Sequence, residues 1–430
     1  MKLVARQLMP ESLGRTARTS MAHSADLTRM LEEAVAWVHS RGGTASRDAL
    51  WQALLEGRTS GPVHQLRLSI ASAPGYRELA DAHLYVGETC CFLNHESVTE
   101  WLVLRATQSS AASSLQALDL LLDRKPIEAT AVLALARVGI HGPGPIDLGH
   151  GVSLRRFSAN DFLGLPPLAQ VHRHETDVIH ISAALATKVE LPVHLLPAKS
   201  PESHTAWQST QDAYFGALDQ AYRALLVLGL VRPQPPALVG RALLVSPDLP
   251  GALSPSLVSH IDIDTAWPRL DLDPGEVDEA IALFDALERL PSGPRDEILV
   301  PMRRLRSAMT EVRDFADAAI DLGIALESLF VRPEEVTEIT YRLSMRGAVL
   351  LGSSTDERTE LKQRLAAIYS MRSTAAHRGV VPYKIKGAGG GDSEQLLQDG
   401  FRLAAAAIKK LLRWSPGDLD RLLLSSAPSV

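Results

Sequence analysis

"TDERTELKQRLAAIYSMRSTAAHRG", residues 355–379, decides how the second half of the chain is read. It predicts one long amphipathic helix that stops near Gly379, with Pro382 just beyond. The final turns carry Arg372 and, five positions on, His377. Carbonyls at a helix C-terminus bear partial negative charge, which favours a guanidinium and a protonated imidazole there. Imidazole is also the side chain suited to moving protons near neutral pH. In an unbroken helix, five positions separate two side chains by about 140° and ~7.5 Å of rise. The pair therefore converges in one of two ways: the helix loosens at its end, or a second copy of the chain supplies the partner groups.

Outward from this stretch the pattern stays helical. "EVDEAIALFDALERL" stops at Pro291 and Gly293-Pro294, and "RDEILVPMRRLRSAMTEV" and "DFADAAIDLGIALESLFV" follow. Pro333 opens "EEVTEITYRLSMRGAVLLG", and after the glycine-rich "KGAGGGD" comes "SEQLLQDGFRLAAAAIKKLLRW". Short connections between helices of this length predict an antiparallel bundle over 276–430. Within it Glu327 shares a helix face with Ile320 and Ile324, so a buried carboxylate is expected, with Arg372 or Arg346 as its cationic partner. Such a pairing would either fix an arginine for phosphate recognition or be a purely structural ion pair.

Further upstream the periodicity changes. "GVSLRRFS", "DVIHISAALATKVELPVHLL", "GRALLVSP" and "SHIDIDTA" carry short alternating or β-branched patterns, interrupted by the helical "TQDAYFGALDQAYRALLVLGL". These predict a mixed α/β domain with substantial sheet over 146–275. Residues 25–145 read as mostly helical, from "DLTRMLEEAVAWVHSR" and "SRDALWQALLEG", with Asp26 and Ser46 as N-caps, to "IEATAVLALARVGI". The first 24 residues, rich in Arg, Ser and Thr, read as a disordered leader with some likeness to a transit peptide. The expected class is α+β: a sheet-containing N-terminal region followed by an all-α bundle.

Composition narrows the functions. A net charge of −6 over 430 residues disfavours broad wrapping of nucleic acid and leaves only a focal basic site. The helix pair at 26–57 could form a DNA-binding unit but has no basic recognition face. The only cysteines, Cys90 and Cys91, are adjacent, which suits a reducing, cytoplasmic compartment. No apolar run nears the roughly 20 residues of a membrane span.

Two metal candidates present themselves. "VHRHETDVIH" offers His172, His174, Glu175 and His180, but no third ligand at a recognised spacing. "DIDTAWPRLDLD" offers Asp262, Asp264, Asp271 and Asp273 without the glycine and final glutamate of a calcium loop, so a solvated connection is the better expectation. GxxxxGK[ST], GxSxG and HExxH signatures are absent. Neither a metal nor another cofactor is expected. An arginine followed closely by a histidine also occurs at Arg18/His23, Arg58/His64, Arg77/His83 and Arg173/His180, but only Arg372/His377 ends a long helix in a bundle.

"DLGIALESLF", "ITYRLSMRGAVLLG" and "RTELKQRLAAIYSMRSTAAHRG", in that order, resemble the HEPN superfamily and specifically the Apea-like HEPN domains of bacterial proteins, over about 277–425. "GPIDLGHGVSLRRFS" and "RALLVLGLVRP" look like the regions often joined to such domains. The resemblance implies a metal-independent endoribonuclease whose R-x4-6-H motif forms a composite site across a two-fold homodimer, with Arg372 and His377 catalytic. It also implies RNA as substrate, and a toxin-antitoxin or antiviral defence role with an antitoxin or phage-derived trigger as partner. Ser373 matches the polar residue that follows the family's arginine, with Glu327, Arg346 and Arg378 in support. Arg378 departs from the family pattern, which has glycine directly after the histidine. Such a departure also fits a catalytically silent domain that dimerises or binds RNA or a partner.

Overall fold

The computed structural model describes residues 25–42, 47–142, 144–157, 170–174, 177–245, 249, 258–259, 269–310, 314–332, 335, 337–381 and 392–414. The expected leader (1–24), Ser46, Pro333 and Pro382 lie outside them.

In chain order the elements are α1 (Ala25–Gly42), α2 (Arg47–Glu56), α3 (Gly61–Ser72), a 3-10 turn (Pro74–Leu79), β1 (Ala82–Val86), β2 (Thr89–Leu93), α4 (His95–Gln108) and α5 (Ala111–Leu122). There follow β3 (Ile127–Ala136), β4 (Val138–Ile140), β5 (Ile146–Gly149), β6 (Val152–Arg156), β7 (Gln170–His174), β8 (Asp177–Leu191) and β9 (His194–Pro197). Then come α6 (Ser203–Val231), β10 (Ala237–Val245), β11 (Val258–Ser259) and β12 (Leu270–Leu272). The chain closes with α7 (Pro274–Arg289), α8 (Ser292–Thr310), α9 (Phe315–Phe330), α10 (Ile339–Leu351), α11 (Thr355–Arg378) and α12 (Ser393–Leu412). Mixed sheets in the first half and mainly helices in the second make the chain α+β.

Two compact units emerge: Met1–Pro126 with Pro192–Thr210 and Pro247–Leu253, and Ile127–Leu191 with Gln211–Ser246 and Ser254–Val430. In the second unit β3 belongs to the large sheet and β4 pairs with β12 in a separate two-stranded ladder, and both group with the helices from α7 onward.

The first unit combines α1–α5 with a three-stranded antiparallel sheet in the order β2-β1-β9. Asp26 lies in the first turn of α1 rather than capping it, because the helix already includes Ala25. Asn94 caps α4 in a reciprocal box with Ser97, satisfying amides that a helix start leaves open.

In the second unit, β3 corrects the helical expectation for "IEATAVLALARVGI". Alanine and leucine favour helix in isolation, but a short apolar run is ambiguous between helix and central strand. Here it pairs on both sides, with β10 and β8, in the sheet order β11-β10-β3-β8-β6-β5. Val132, Ala134 and Ala136 pack in buried clusters with Ala184, Ala186, Ile181 and Val239. On the opposite face Ala131, Leu133 and Leu135 are buried as well, so both faces of the strand are removed from water, which explains its continuous hydrophobicity.

The helical half of this unit starts at a reciprocal cap: Asp273 accepts from the Glu276 amide and Glu276 from the Asp273 amide, each at 2.9 Å. Asp314, Ser354 and Asp392 cap α9, α11 and α12 one way only, each side chain accepting from a backbone amide of the first turn. α10 begins at Ile339, later than expected, after Glu338 in a left-handed conformation. The β5–β6 turn meets α7 through His150, whose Nε2 lies 3.2 Å from Asp285 Oδ1 and whose ring stands edge-on to buried Phe284. Arg306 on α8 donates to the Pro236 carbonyl at 3.0 Å, just before β10. Among the described residues no helix is long and apolar enough to cross a membrane.

Candidate functional site

α9 and α11 pack against each other, and a missing side chain sets how closely. A Cβ on Gly323 would lie 2.2 Å from Arg372 Cγ and 2.7 Å from its Cβ, so the arginine stem fills a notch that only glycine provides. One turn on from Gly323, on the same face of α9, stands Glu327. One turn before Arg372 on α11 stands Tyr369.

These residues form a connected set. The Tyr369 hydroxyl donates to Glu327 Oε1 in a short hydrogen bond. Arg372 Nη2 lies 3.5 Å from Glu327 Oε2, and its guanidinium sits over the Tyr369 ring, 5.5 Å from the centroid. Burial and the Glu327 carboxylate push the Tyr369 hydroxyl up to about 12, against a smaller opposing effect of Arg372, so the phenol remains a donor. The Glu327 side chain is 24% exposed and that of Arg372 29%. Glu327 is therefore partly buried rather than fully enclosed as its apolar helix suggested, because α9 places it at the margin of the α11 contact. Arg372 Nε is buried and has no hydrogen-bond partner among the described residues.

His377 occupies a different environment. It is exposed on the last turn of α11, followed by exposed Arg378. The helix stays regular through Arg378; Gly379 then turns left-handed (φ 67°), its amide bonding to the Ala375 carbonyl at 2.8 Å. Loosening before His377, one of the two routes to convergence, does not occur, because Gly379 absorbs the stop after the histidine. Arg372 and His377 thus keep the helical separation of about 140°. Within one copy the two side chains therefore do not converge. Ser373 is partly buried between them.

Arg346 does not take Glu327. It donates to both Glu335 oxygens, at 2.5 and 2.7 Å, and to the Phe330 carbonyl at 2.7 Å, while Arg342 reaches Glu335 at 2.7 Å. Hydrogen bonds from Arg346, then from the Arg332 amide, hold the Glu335 carboxyl down at about 2. This clamp ties the end of α9 to α10.

The metal candidates separate similarly. The side chains of His172, His174 and His180, with Glu175, Asp262 and Asp264, lie outside the described residues. Asp271 pairs with Arg269 at 2.7 Å and Asp273 is the α7 cap. No group of three metal-ligating side chains occurs among the described residues.

Sequence reasoning missed Gly323 and Tyr369. Their signal was positional: a glycine four before the glutamate, and a tyrosine three before the arginine. The chain matches no protein-family model, no curated protein and no solved structure.

Proposed function

We propose that the chain is a metal-independent endoribonuclease of HEPN type, its C-terminal helices forming an Apea-like HEPN bundle that works as a homodimer. The observation that carries this reading is a guanidinium held by Glu327 and Tyr369 on the same helix as an exposed terminal His377. RNA supplies its own nucleophile, the 2′-OH. Cleavage then needs a base for that proton, an acid for the leaving 5′-oxygen and positive charge beside the phosphate. One copy offers one imidazole and one arginine on divergent faces; two copies offer two of each. His377 acts as general acid or base and Arg372 stabilises the scissile phosphate. A toxin or antiviral defence role, an antitoxin or phage-derived trigger, and a cytoplasmic setting in keeping with two free cysteines belong to the same reading.

The test is RNA cleavage in EDTA by the wild type, His377→Ala and Arg372→Ala. Cleavage lost in both variants, leaving 2′,3′-cyclic phosphate or 3′-phosphate ends, is expected. An inert wild type, equal cutting by the variants, or 3′-hydroxyl ends overturn it. One observation favours the alternative of a catalytically silent dimerisation or binding module: Arg372 is already engaged inside its own bundle. In that case the wild type dimerises and leaves RNA intact.

A further inference from the structure

The first unit carries a strand edge that its own ladder leaves open. β2 stands at the end of the order β2-β1-β9 and pairs with β1. Gly87 and Glu88 join the two strands, Gly87 in the positive-φ conformation (55°) that suits such turns, so Val86 and Thr89 are the first opposed pair. In a two-residue hairpin that pair exchanges hydrogen bonds, and bonded and unbonded pairs alternate from there. Thr89, Cys91 and Leu93 therefore turn their amides and carbonyls towards β1, while those of Cys90 and Phe92 point away from it. Among the described residues nothing bonds to these outward groups.

Proteins usually guard such an edge with charge, proline or a bulge. "TCCFL" has neither charge nor proline, and its register against β1 is unbroken. Phe92, 49% exposed, stands edge-on to His83, and exposed Cys90 lies two positions away on the same face.

The strand itself indicates the occupant. Because it carries no charge, a second copy of it meets no like-charge repulsion along the seam. Two antiparallel copies must set outward residues against outward residues, which allows two-fold axes at Cys90, Cys91 or Phe92. Only the axis at Cys91 keeps every such pair within the strands: Cys90 opposes Phe92 of the second copy and Phe92 opposes its Cys90, satisfying all the outward amides and carbonyls.

We propose that β2 docks antiparallel against β2 of a second copy, joining two three-stranded sheets into one about a two-fold axis at Cys91. The contact uses neither Arg372 nor His377 and does not rest on the nuclease reading. In this register Cys91 faces its own counterpart as an unbonded pair, with Cα atoms about 4.5 Å apart, within the span of a disulfide. Cys90 stands diagonal to its counterpart, displaced by two residues along the strand and too far to bridge. Chance collision favours the opposite outcome, because Cys90 is exposed whereas burial, with its neighbour Cys90, pushes the Cys91 thiol up to about 11.

The test is disulfide trapping of the full chain with copper phenanthroline, read as covalent dimer by non-reducing electrophoresis. Cys90→Ser should bridge faster than Cys91→Ser by about tenfold or more. Adding Phe92→Lys to Cys90→Ser, at an exposed position and with circular dichroism unchanged, should slow bridging by a similar factor, since it places two ammonium groups at the seam. Absence of a covalent dimer from Cys90→Ser overturns the proposal. So does a smaller ratio between the two serine variants, which marks collision between thiols, and so does undiminished bridging with Phe92→Lys.

Discussion

Two glutamates in the same bundle, Glu335 and Glu327, are each joined to an arginine, and the difference between them is instructive. Glu335 is saturated: two guanidiniums and a backbone amide converge on it, and its partner Arg346 also donates to a carbonyl. That geometry fixes the α9–α10 connection. Glu327 takes one phenol and a looser contact from Arg372, whose Nε is still without a hydrogen-bond partner among the described residues. The first constellation uses its donors for structure. The second holds its arginine more loosely, with the buried Nε unpaired among the described residues.

The sharpest way to break this contrast is catalytic. Under the proposed function, His377→Ala should lower RNA cleavage by about 10²–10⁴-fold, the usual share of a general acid or base, whereas Glu335→Gln should leave the chemical step in place. Equal losses in a single-turnover assay would erase the distinction.

Next in size is Gly323→Ala. A methyl 2.2 Å from Arg372 Cγ must push α9 from α11, with an expected loss of about 1–3 kcal/mol by denaturant unfolding, as overpacking gives. Tyr369→Phe should cost about 1 kcal/mol for the lost hydrogen bond. It should also remove a phenol that titrates near 12 from the ultraviolet alkaline titration. Because that phenol is raised in the folded state from an ordinary 10.0, its contribution is complete below pH 10 and disappears as pH rises through 12.

Glu335 behaves in the opposite sense. Its carboxyl is depressed from 4.5 to about 2, so the stabilisation it brings is present above pH 4.5 and is lost as pH falls towards 2. Glu335→Gln should flatten that segment of the thermal midpoint against pH. The smallest effect sharpens the contrast between the glycines: Gly216→Ala, with open space at its Cβ, should stabilise the chain by about 0.5–1 kcal/mol, opposite in sign to Gly323→Ala.

Local chemistry made much of the second half readable. Apolar periodicity marked α7–α12, and Gly379 marked the neighbourhood of the α11 end, which falls at Arg378, because capping and periodicity depend on near neighbours in sequence. β3 was misread for the complementary reason: its alanines and leucines prefer helix until β8 and β10 pair with both its edges. The choice of Arg372 over Arg346 for Glu327 was equally out of reach, since both arginines lie in the bundle and only packing shows which faces α9.

By itself, then, the chain order of residues marked the helices α7–α12, α10 starting later than its proline suggested, and put Arg372 and His377 on one of them. Tertiary structure decided which carboxylate holds which arginine, that Gly323 admits the Arg372 stem, and that the two motif residues diverge within a copy. The physical reason is range: a helix turn couples residues three or four apart, whereas an ion pair or a packing notch joins side chains some 40 or more positions apart, as between Glu327 and Tyr369, and nothing in their spacing announces the meeting.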